Sequence, residues 1–274
     1  MDSSTIDKLP ENPWHQLLKQ LKLKHPSNVT FGYLNICHIA NKFERLINLI
    51  NNNIDVLCIA ETKLDSSFPI NQFIIPGYSA PFRLDGPKIK EASGGLLVYI
   101  NQNIPSKLLN KFKLADNFQA LPIELNLMKS KWLLVPIYRP ETYKKKEFII
   151  DLLKLIDIYS DTYDNILILG DFNMEASDVE MQKLIQSYDL YSMIKKPTCF
   201  KSRYGRCIDL MLTSKKYSFM NSLVLENGES DCHAMIYSML KSTFIKLKRL
   251  TIHVLKPLIM RSSDKIWIKT FLIQ

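Results

Sequence analysis

Residues Asn165 to Asn173, Asn-Ile-Leu-Ile-Leu-Gly-Asp-Phe-Asn, constrain this chain more than any other stretch. Four consecutive apolar residues, Ile166 to Leu169, leave no polar position to face water, so the run reads as a short strand buried on both faces. Gly170 is read as the residue that lets the backbone turn. Asp171 and Asn173 follow, two positions apart, so on an extended chain both side chains leave the same edge at the carboxyl end of a central strand. Ligand sites of α/β sheets lie there. An Asx-type turn closing the strand would use the same residues, so the rest of the chain has to decide between the two.

Before this stretch the apolar pattern alternates between strand and helix. Val29 to Ile36 is rich in β-formers and reads as a strand with Asn35 near its end. Phe43, Leu46, Ile47 and Ile50 fall on one helical face, within a helix spanning Lys42 to Asn53. Asp55 to Ala60 is a second strand, and Glu61 follows it at once. A strand, a helix and a strand in so short a span make a βαβ unit, which would place Asn35 and Glu61 side by side at parallel strand ends. Thr62 to Ala92 reads as surface loop, anchored by Phe68, Phe73, Tyr78 and Phe82.

A strand at Leu96 to Ile100 comes next, followed by Leu121 to Leu127 paired with Lys131 to Ile137 across the Met128 to Ser130 turn. Tyr138 and Arg139 leave the end of that pair. A helix from Lys144 to Tyr159 leads into the Ile166 strand, which repeats the plan of the first half and suggests two similar layers facing each other. The remaining elements are a helix around Val179 to Tyr188, the loop Lys195-Lys196-Pro197-Thr198-Cys199, a strand from Ile208 to Leu212 containing Asp209, and a last strand from His233 to Leu240.

The 274 residues, 46% hydrophobic and 23% charged, suffice for one large α/β core. They divide into a leader at 1–28, poorly structured or a short helix (Trp14, Leu17, Leu18, Leu21) outside the core, a domain at 29–241, and a basic tail at 242–274. No apolar run approaches the ~18 residues of a membrane span and the polar start lacks a signal-peptide core, so an intracellular protein without a membrane partner is expected. Five scattered cysteines, Cys37, Cys58, Cys199, Cys207 and Cys232, without a C-x-x-C pair, indicate neither a disulfide framework nor a structural zinc site. The formal charge is +9, but from Lys241 onward eight cations stand against one anion, leaving the first 240 residues at +2. Bulk charge alone would not make the folded part a nucleic-acid binder.

The polar residues at strand ends carry the chemistry. Glu61, Asp171 and Asp231 are carboxylates and Asn35 and Asn173 neutral oxygen ligands, an all-oxygen set that suits Mg²⁺, with Mn²⁺ as a substitute, and suits Zn²⁺ poorly. Asp209, an acid within an apolar strand, needs a partner, and a histidine is the obvious one.

The ordered string Leu34-Asn35-Ile36, Ala60-Glu61-Thr62-Lys63, Gly94-Gly95-Leu96, Ile137-Tyr138-Arg139-Pro140, Leu169-Gly170-Asp171-Phe172-Asn173, Lys196-Pro197-Thr198, Ile208-Asp209-Leu210 and Ser230-Asp231 resembles the endonuclease/exonuclease/phosphatase superfamily. Within it the chain is most similar to endonuclease domains of non-LTR retrotransposons, and the match covers about residues 20 to 245. The resemblance implies a four-layer α/β sandwich, two mixed β-sheets packed face to face with helices outside. It implies a Mg²⁺-dependent DNA endonuclease that leaves a 3′-hydroxyl and a 5′-phosphate, acting as a monomer, nuclear, and detached from the reverse transcriptase domain of its parent element. Glu61 would hold the metal with Asn35 and Asp231 nearby. Asp171 would align or deprotonate water, Asn173 would position it, Tyr138 would contact the phosphate, and Asp209 would orient a histidine, for which His233 is the candidate. Arg139, Lys196 and Thr198 are the candidate substrate contacts.

Two departures bear on activity. The family usually has histidine directly after Ser-Asp, whereas here Cys232 stands there and His233 one place later, a shift that on a strand turns the side chain to the other face. After Asn35, Cys37, His38 and Ala40 replace polar and cationic residues. A catalytically impaired module with at most DNA binding is therefore one alternative. A phosphomonoesterase or phosphoinositide phosphatase on the same fold is another, since fold does not determine function.

Overall fold

A computed structural model describes residues 13–50, 53–86, 94–110, 117–226 and 230–242. The first twelve residues of the leader and the tail beyond Ser242 lie outside the described residues. In chain order the elements are α1 (Pro13–Lys24), β1 (Val29–Asn35), α2 (Phe43–Ile50), β2 (Val56–Ala60), β3 (Phe82–Leu84), β4 (Leu96–Ile100), β5 (Ser106–Leu108), β6 (Gln119–Ala120), β7 (Ile123–Leu127), β8 (Ser130–Tyr138), α3 (Lys145–Ser160), β9 (Asn165–Asp171), α4 (Val179–Ser187), β10 (Tyr191–Ser192), β11 (Asp209–Thr213), β12 (Phe219–Leu225) and β13 (Met235–Leu240).

One sheet runs β12-β13-β1-β2-β4-β3 and the other β10-β11-β9-β8-β7-β5, with β6 beside β8. The two halves follow one plan. β1 and β2 are parallel and joined through α2, and β8 and β9 are parallel and joined through α3, while the other pairings are antiparallel.

Three apolar clusters fill the space between layers. Phe31, Tyr33, Val56, Cys58, Leu134, Leu167, Leu169 and Met211 belong to a cluster shared by both sheets. Leu34, Leu57 and Ile59 pack with Leu46 and Ile50 of α2 and Leu18 of α1 on the outer side of the first sheet. Leu133, Val135, Ile168 and Leu210 pack with Phe148 and Leu152 of α3 and Met181 of α4 outside the second. The order is helices, sheet, sheet, helices, the expected four-layer sandwich.

The period of two along each strand explains where the polar residues go. On β1, Phe31 and Tyr33 face the inter-sheet core, and Asn35 is the next residue of that parity. On β9 the same count runs Leu167, Leu169, Asp171. On β8 it passes from Trp132 and Leu134 to Tyr138, and on β11 it pairs Met211 with Asp209. Each of these polar side chains thus occupies the inward position at the end of its strand that lies at one rim of the sandwich.

Two expectations change, and one strand was not foreseen. The leader's helical pattern forms α1 but does not stand outside the core: Leu18 is fully buried, Trp14 Nε1 donates to the Glu226 carbonyl, and Lys22 pairs with Asp55 at 2.5 Å. An amphipathic helix buries its apolar stripe wherever an uncovered sheet face is in reach. Gly170 does not turn the chain. It lies within β9, opposite Ile137 of parallel β8, and a Cβ there would sit 2.3 Å from the Ile137 carbonyl oxygen; the turn falls at Asn173, with φ 48°. β12 has no counterpart in the apolar pattern because it is an edge strand with a register shift between Met220 and Leu223, half-buried along most of its length.

Two measurements test this packing. Gly170→Ala should destabilise the protein by about 2–3 kcal/mol in urea unfolding, because the backbone of β8 cannot yield as a flexible side chain could. Asp178 caps α4, accepting from the Glu180 N–H at 3.0 Å and pairing with Lys145 at 2.5 Å, and the Lys145 hydrogen bond outweighs burial to hold its carboxyl below the usual range. Asp178→Ala should cost about 1 kcal/mol at neutral pH. A depressed folded-state pKa contributes stability above the unfolded value of ~3.9, lost as pH falls through the folded one. The difference between wild type and variant should therefore shrink below about pH 4.

Candidate active site at the rim of the two sheets

Strand register assembles the site. Asp171 on β9 is the cross-strand partner of Tyr138 on β8 and of Asp209 on β11, so these three inward side chains form a row across the second sheet. Facing them, Asn35 ends β1 and Glu61 follows β2. The Asn35 carboxamide spans the gap, its Nδ2 donating to Glu61 Oε1 at 2.8 Å and to Asp171 Oδ2 at 2.9 Å. Asn35 Oδ1 accepts from the Cys37 N–H at 3.2 Å and from the Cys37 thiol at 3.3 Å. The Tyr138 hydroxyl donates to Glu61, and burial with the nearby Glu61 and Asp171 keeps that phenol protonated.

The backbone around these residues is tightly wound. Cys37, His38, Glu61, Lys63 and Asn173 all have positive φ without being glycine, a conformation that side chains adopt where surrounding contacts enforce it. Those contacts are present. The His38 N–H donates to the Glu61 carbonyl, Lys63 N–H to that of Gly94, and Asn173 N–H to Asp171 Oδ1 at 2.8 Å.

His233 reaches Asp209. Its Nδ1 lies 2.9 Å from Asp209 Oδ2, and both side chains are buried. The one-residue displacement after Asp231 is absorbed before β13 begins: His233 sits at a bridge to Cys199 and its N–H donates to Ser230 Oγ at 3.3 Å. The loop from Thr198 to Phe200 then holds residues 232–234 through the Cys232 carbonyl and the Ala234 N–H. Burial alone would lower the His233 pKa, but the Asp209 hydrogen bond and the charges of Asp209, Asp171 and Glu61 more than offset it and raise the value. Asp171 moves up to about 8, first through burial and then through the adjacent negative charge of Asp209.

Other expected site residues have different places. Arg139 is one of the three expected substrate contacts, but it is 3% exposed and its guanidinium donates to the main-chain carbonyls of Phe172, Tyr143 and Asn173, the last at 3.0 Å. Together with the Asn173 Nδ2 bond to the Arg139 carbonyl at 2.8 Å, it fixes the turn that carries Asn173. Thr198 is fully buried, and its hydroxyl accepts from the N–H groups of Asp209 and Ile208, so it braces the start of β11 instead of facing a ligand. Lys196 is exposed. The Asp231 side chain is 73% exposed and paired with Lys42 at 2.9 Å. Burial raises the Cys37 thiol pKa, and the charges of Glu61 and Asp231 add to it.

Two residues near the site escaped the sequence reading. Tyr33 lies two positions before Asn35, on the same face, and the strand period could have located it. Its hydroxyl is buried without a hydrogen-bond partner among the described residues, and burial together with the charges of Asp209, Asp171 and Glu61 keeps the phenol protonated. At Lys201, beyond Thr198, partial burial lowers the pKa, but nearby acidic groups including Glu61 more than offset it and raise the value; only loop folding brings Lys201 there.

Ligand atoms of Asp171, Asp209 and His233 lie within 4.8 Å of one another. Asp209 Oδ1 is buried without a hydrogen-bond partner among the described residues. With Glu61 and Asn35 this makes an oxygen-rich, acid-rich rim, a donor set that fits a hard divalent cation. The arrangement combines an acidic edge that could hold a cation, a buried acid of raised proton affinity and a carboxylate-oriented imidazole. These are the parts needed to polarise a phosphate ester, accept a proton from water and balance developing charge.

Comparison with known proteins agrees. The profile of the Endonuclease/Exonuclease/phosphatase family matches residues 32–231. The AP endonuclease LMAP from Leishmania major superposes with a TM-score of 0.66 at 14% identity, covering 79% of this chain and 89% of that one. The 3′ phosphatase NExo from Neisseria, solved with product DNA hairpin, gives 0.62 at 15%, covering 78% and 99%. The endonuclease domain of TRAS1, a telomere-specific non-LTR retrotransposon, gives 0.60 at 11%, covering 77% and 98%. No curated protein matches the sequence. The two-sheet sandwich, the rim it builds and a profile match over most of the chain lead to one conclusion: this protein belongs to the endonuclease/exonuclease/phosphatase family.

Proposed function

We propose that the protein is a Mg²⁺-dependent DNA endonuclease derived from a non-LTR retrotransposon, hydrolysing a phosphodiester to a 3′-hydroxyl and a 5′-phosphate. The observation that carries the reading is the Asn35 carboxamide shared by Glu61 and Asp171, with the Asp209–His233 pair beside it. The family comprises hydrolases of phosphodiesters and phosphate monoesters, and likeness to a retrotransposon endonuclease domain and an AP endonuclease supports the nuclease branch.

Glu61, with Asn35 beside it, would hold the cation, and Asp231 would join them on release from Lys42. When bound, the cation supplies positive charge to the non-bridging phosphate oxygens. Asp171, with its raised proton affinity, takes the proton of the attacking water, which Asn173 orients from a turn locked by Arg139. Asp209 holds Nδ1 of His233 and leaves Nε2 to donate to a phosphate oxygen as negative charge accumulates. Tyr138 presents its hydroxyl from the adjacent strand end. The formed His233–Asp209 contact supports an active enzyme over an impaired one, and exposed Lys196 remains suited to a backbone phosphate. Likeness to the Neisseria 3′ phosphatase supports a second reading, monoester hydrolysis by the same residues.

Nicking of supercoiled plasmid is the test. Wild type with Mg²⁺ should convert supercoiled to open-circular DNA, chelation should abolish this, and Glu61→Ala and Asp171→Asn should each slow it by about 10²–10³. Equal rates in all three proteins would sink the proposal. Release of phosphate from a 3′-phosphorylated oligonucleotide without plasmid nicking would favour the monoesterase.

A further inference from the structure

Two half-buried cysteines stand beside the proposed chemistry without taking part in it. Cys37 follows β1 at positive φ, and Cys232 directly precedes His233. Ligand atoms of Cys37, Cys232 and His233 lie within 4.8 Å of one another. We propose that these three residues form a second metal site, of thiolate–imidazole type, that takes Zn²⁺ and withdraws His233 from the phosphate.

The spacing is close to what such an ion needs. With Zn–S near 2.3 Å and Zn–N near 2.0–2.1 Å, tetrahedral ligand atoms stand about 3.5–3.8 Å apart, so movements of about 1 Å complete the set. The loops are already fastened together. Lys42 Nζ donates to the carbonyl of Ile36 at 2.8 Å and to Asp231 at 2.9 Å, the chain neighbours of Cys37 and Cys232. Ser230 Oγ donates to Cys37 Sγ at 3.7 Å, a third tie between the same loops.

The imidazole is oriented as well. Asp209 occupies Nδ1 of His233, the carboxylate–histidine arrangement that fixes the ring and raises the basicity of Nε2 toward a metal. Two thiolates and an imidazole select a borderline-soft ion, whereas the oxygen set at Glu61 selects a hard one, so the two sites discriminate by chemistry. Three protein ligands leave the fourth position to water. On binding, both thiols release their protons to solvent, and Cys37 gives up its hydrogen bond to Asn35 Oδ1.

The metal site stands apart from the nuclease reading; only its inhibitory consequence rests on that reading, through His233. The full chain, reduced with a phosphine, is titrated with Co²⁺ as the spectroscopic probe. A thiolate-to-cobalt charge-transfer band saturating at one equivalent and bleached by Zn²⁺ is expected. Cys37→Ser, Cys232→Ser and His233→Asn should each weaken Co²⁺ binding at least about tenfold, with Cys58, Cys199 and Cys207 still present and thermal melts confirming folded variants. No band in the wild type, or equal affinity in all three variants, overturns the site, and unchanged affinity in His233→Asn alone overturns the capture of His233. In plasmid nicking with Mg²⁺, one equivalent of Zn²⁺ should slow the wild type at least tenfold and Cys232→Ser far less. A band without slowing overturns the inhibitory role. A wild type that never nicks sinks the nuclease proposal, while the cobalt titration still decides the metal site.

Discussion

The Asn35 carboxamide joins the two sheets at their shared rim. Its Nδ2 donates to Glu61, which follows a strand of its own sheet, and to Asp171 on the sheet opposite. Both acceptors are carboxylates, and Asp171 is buried beside a second buried acid, Asp209. A row of acids in a region of low dielectric is costly unless hydrogen bonds, a neighbouring imidazole or a bound cation compensates it. The protein provides the first two through Asn35, the Asn173 N–H and His233. The third is the ion that the proposed hydrolysis calls for.

The apolar mass of the sandwich makes that concentration of charge tolerable. Three clusters of buried side chains lie inside and outside the two sheets, and the acids of the site enter at strand ends or just beyond them. Positive φ values gather at the same rim, where the His38, Lys63 and Asn173 N–H groups are held by carbonyl or carboxylate oxygens. Stability is supplied by the layers and spent at the edge, a common division between scaffold and site. Arg139 shows how the two meet: a buried cation whose donors all serve the main chain, stiffening the turn that carries Asn173.

Much of this was legible in the residues. The two strand–helix–strand units, their parallel pairing and the neighbourhood of Asn35 with Glu61 follow from apolar periodicity and crossover handedness, which depend on near neighbours in sequence. Asp171 as the end of a buried strand was legible for the same reason. The roles of Arg139 and Thr198 were not, because both types are common at phosphate contacts and only burial reveals that their polar atoms face backbone instead. Gly170 misled in another way. A glycine that relieves a turn and one that admits a parallel neighbour are written alike, and only the 2.3 Å approach of the Ile137 carbonyl separates them.

By itself the sequence determined the strand–helix–strand units and the identity of the acids, since burial alternation and strand ends are properties of local order along the chain; the four layers came from the family resemblance. Only the tertiary structure decided which acids face each other, that α1 covers a sheet, and that His233 rather than Cys232 meets Asp209. That last outcome depends on a loop from Thr198 to Phe200 pairing with residues far along the chain. No periodicity encodes such a contact, because the rotation of a side chain at a strand's entrance is set by whichever backbone happens to hold it.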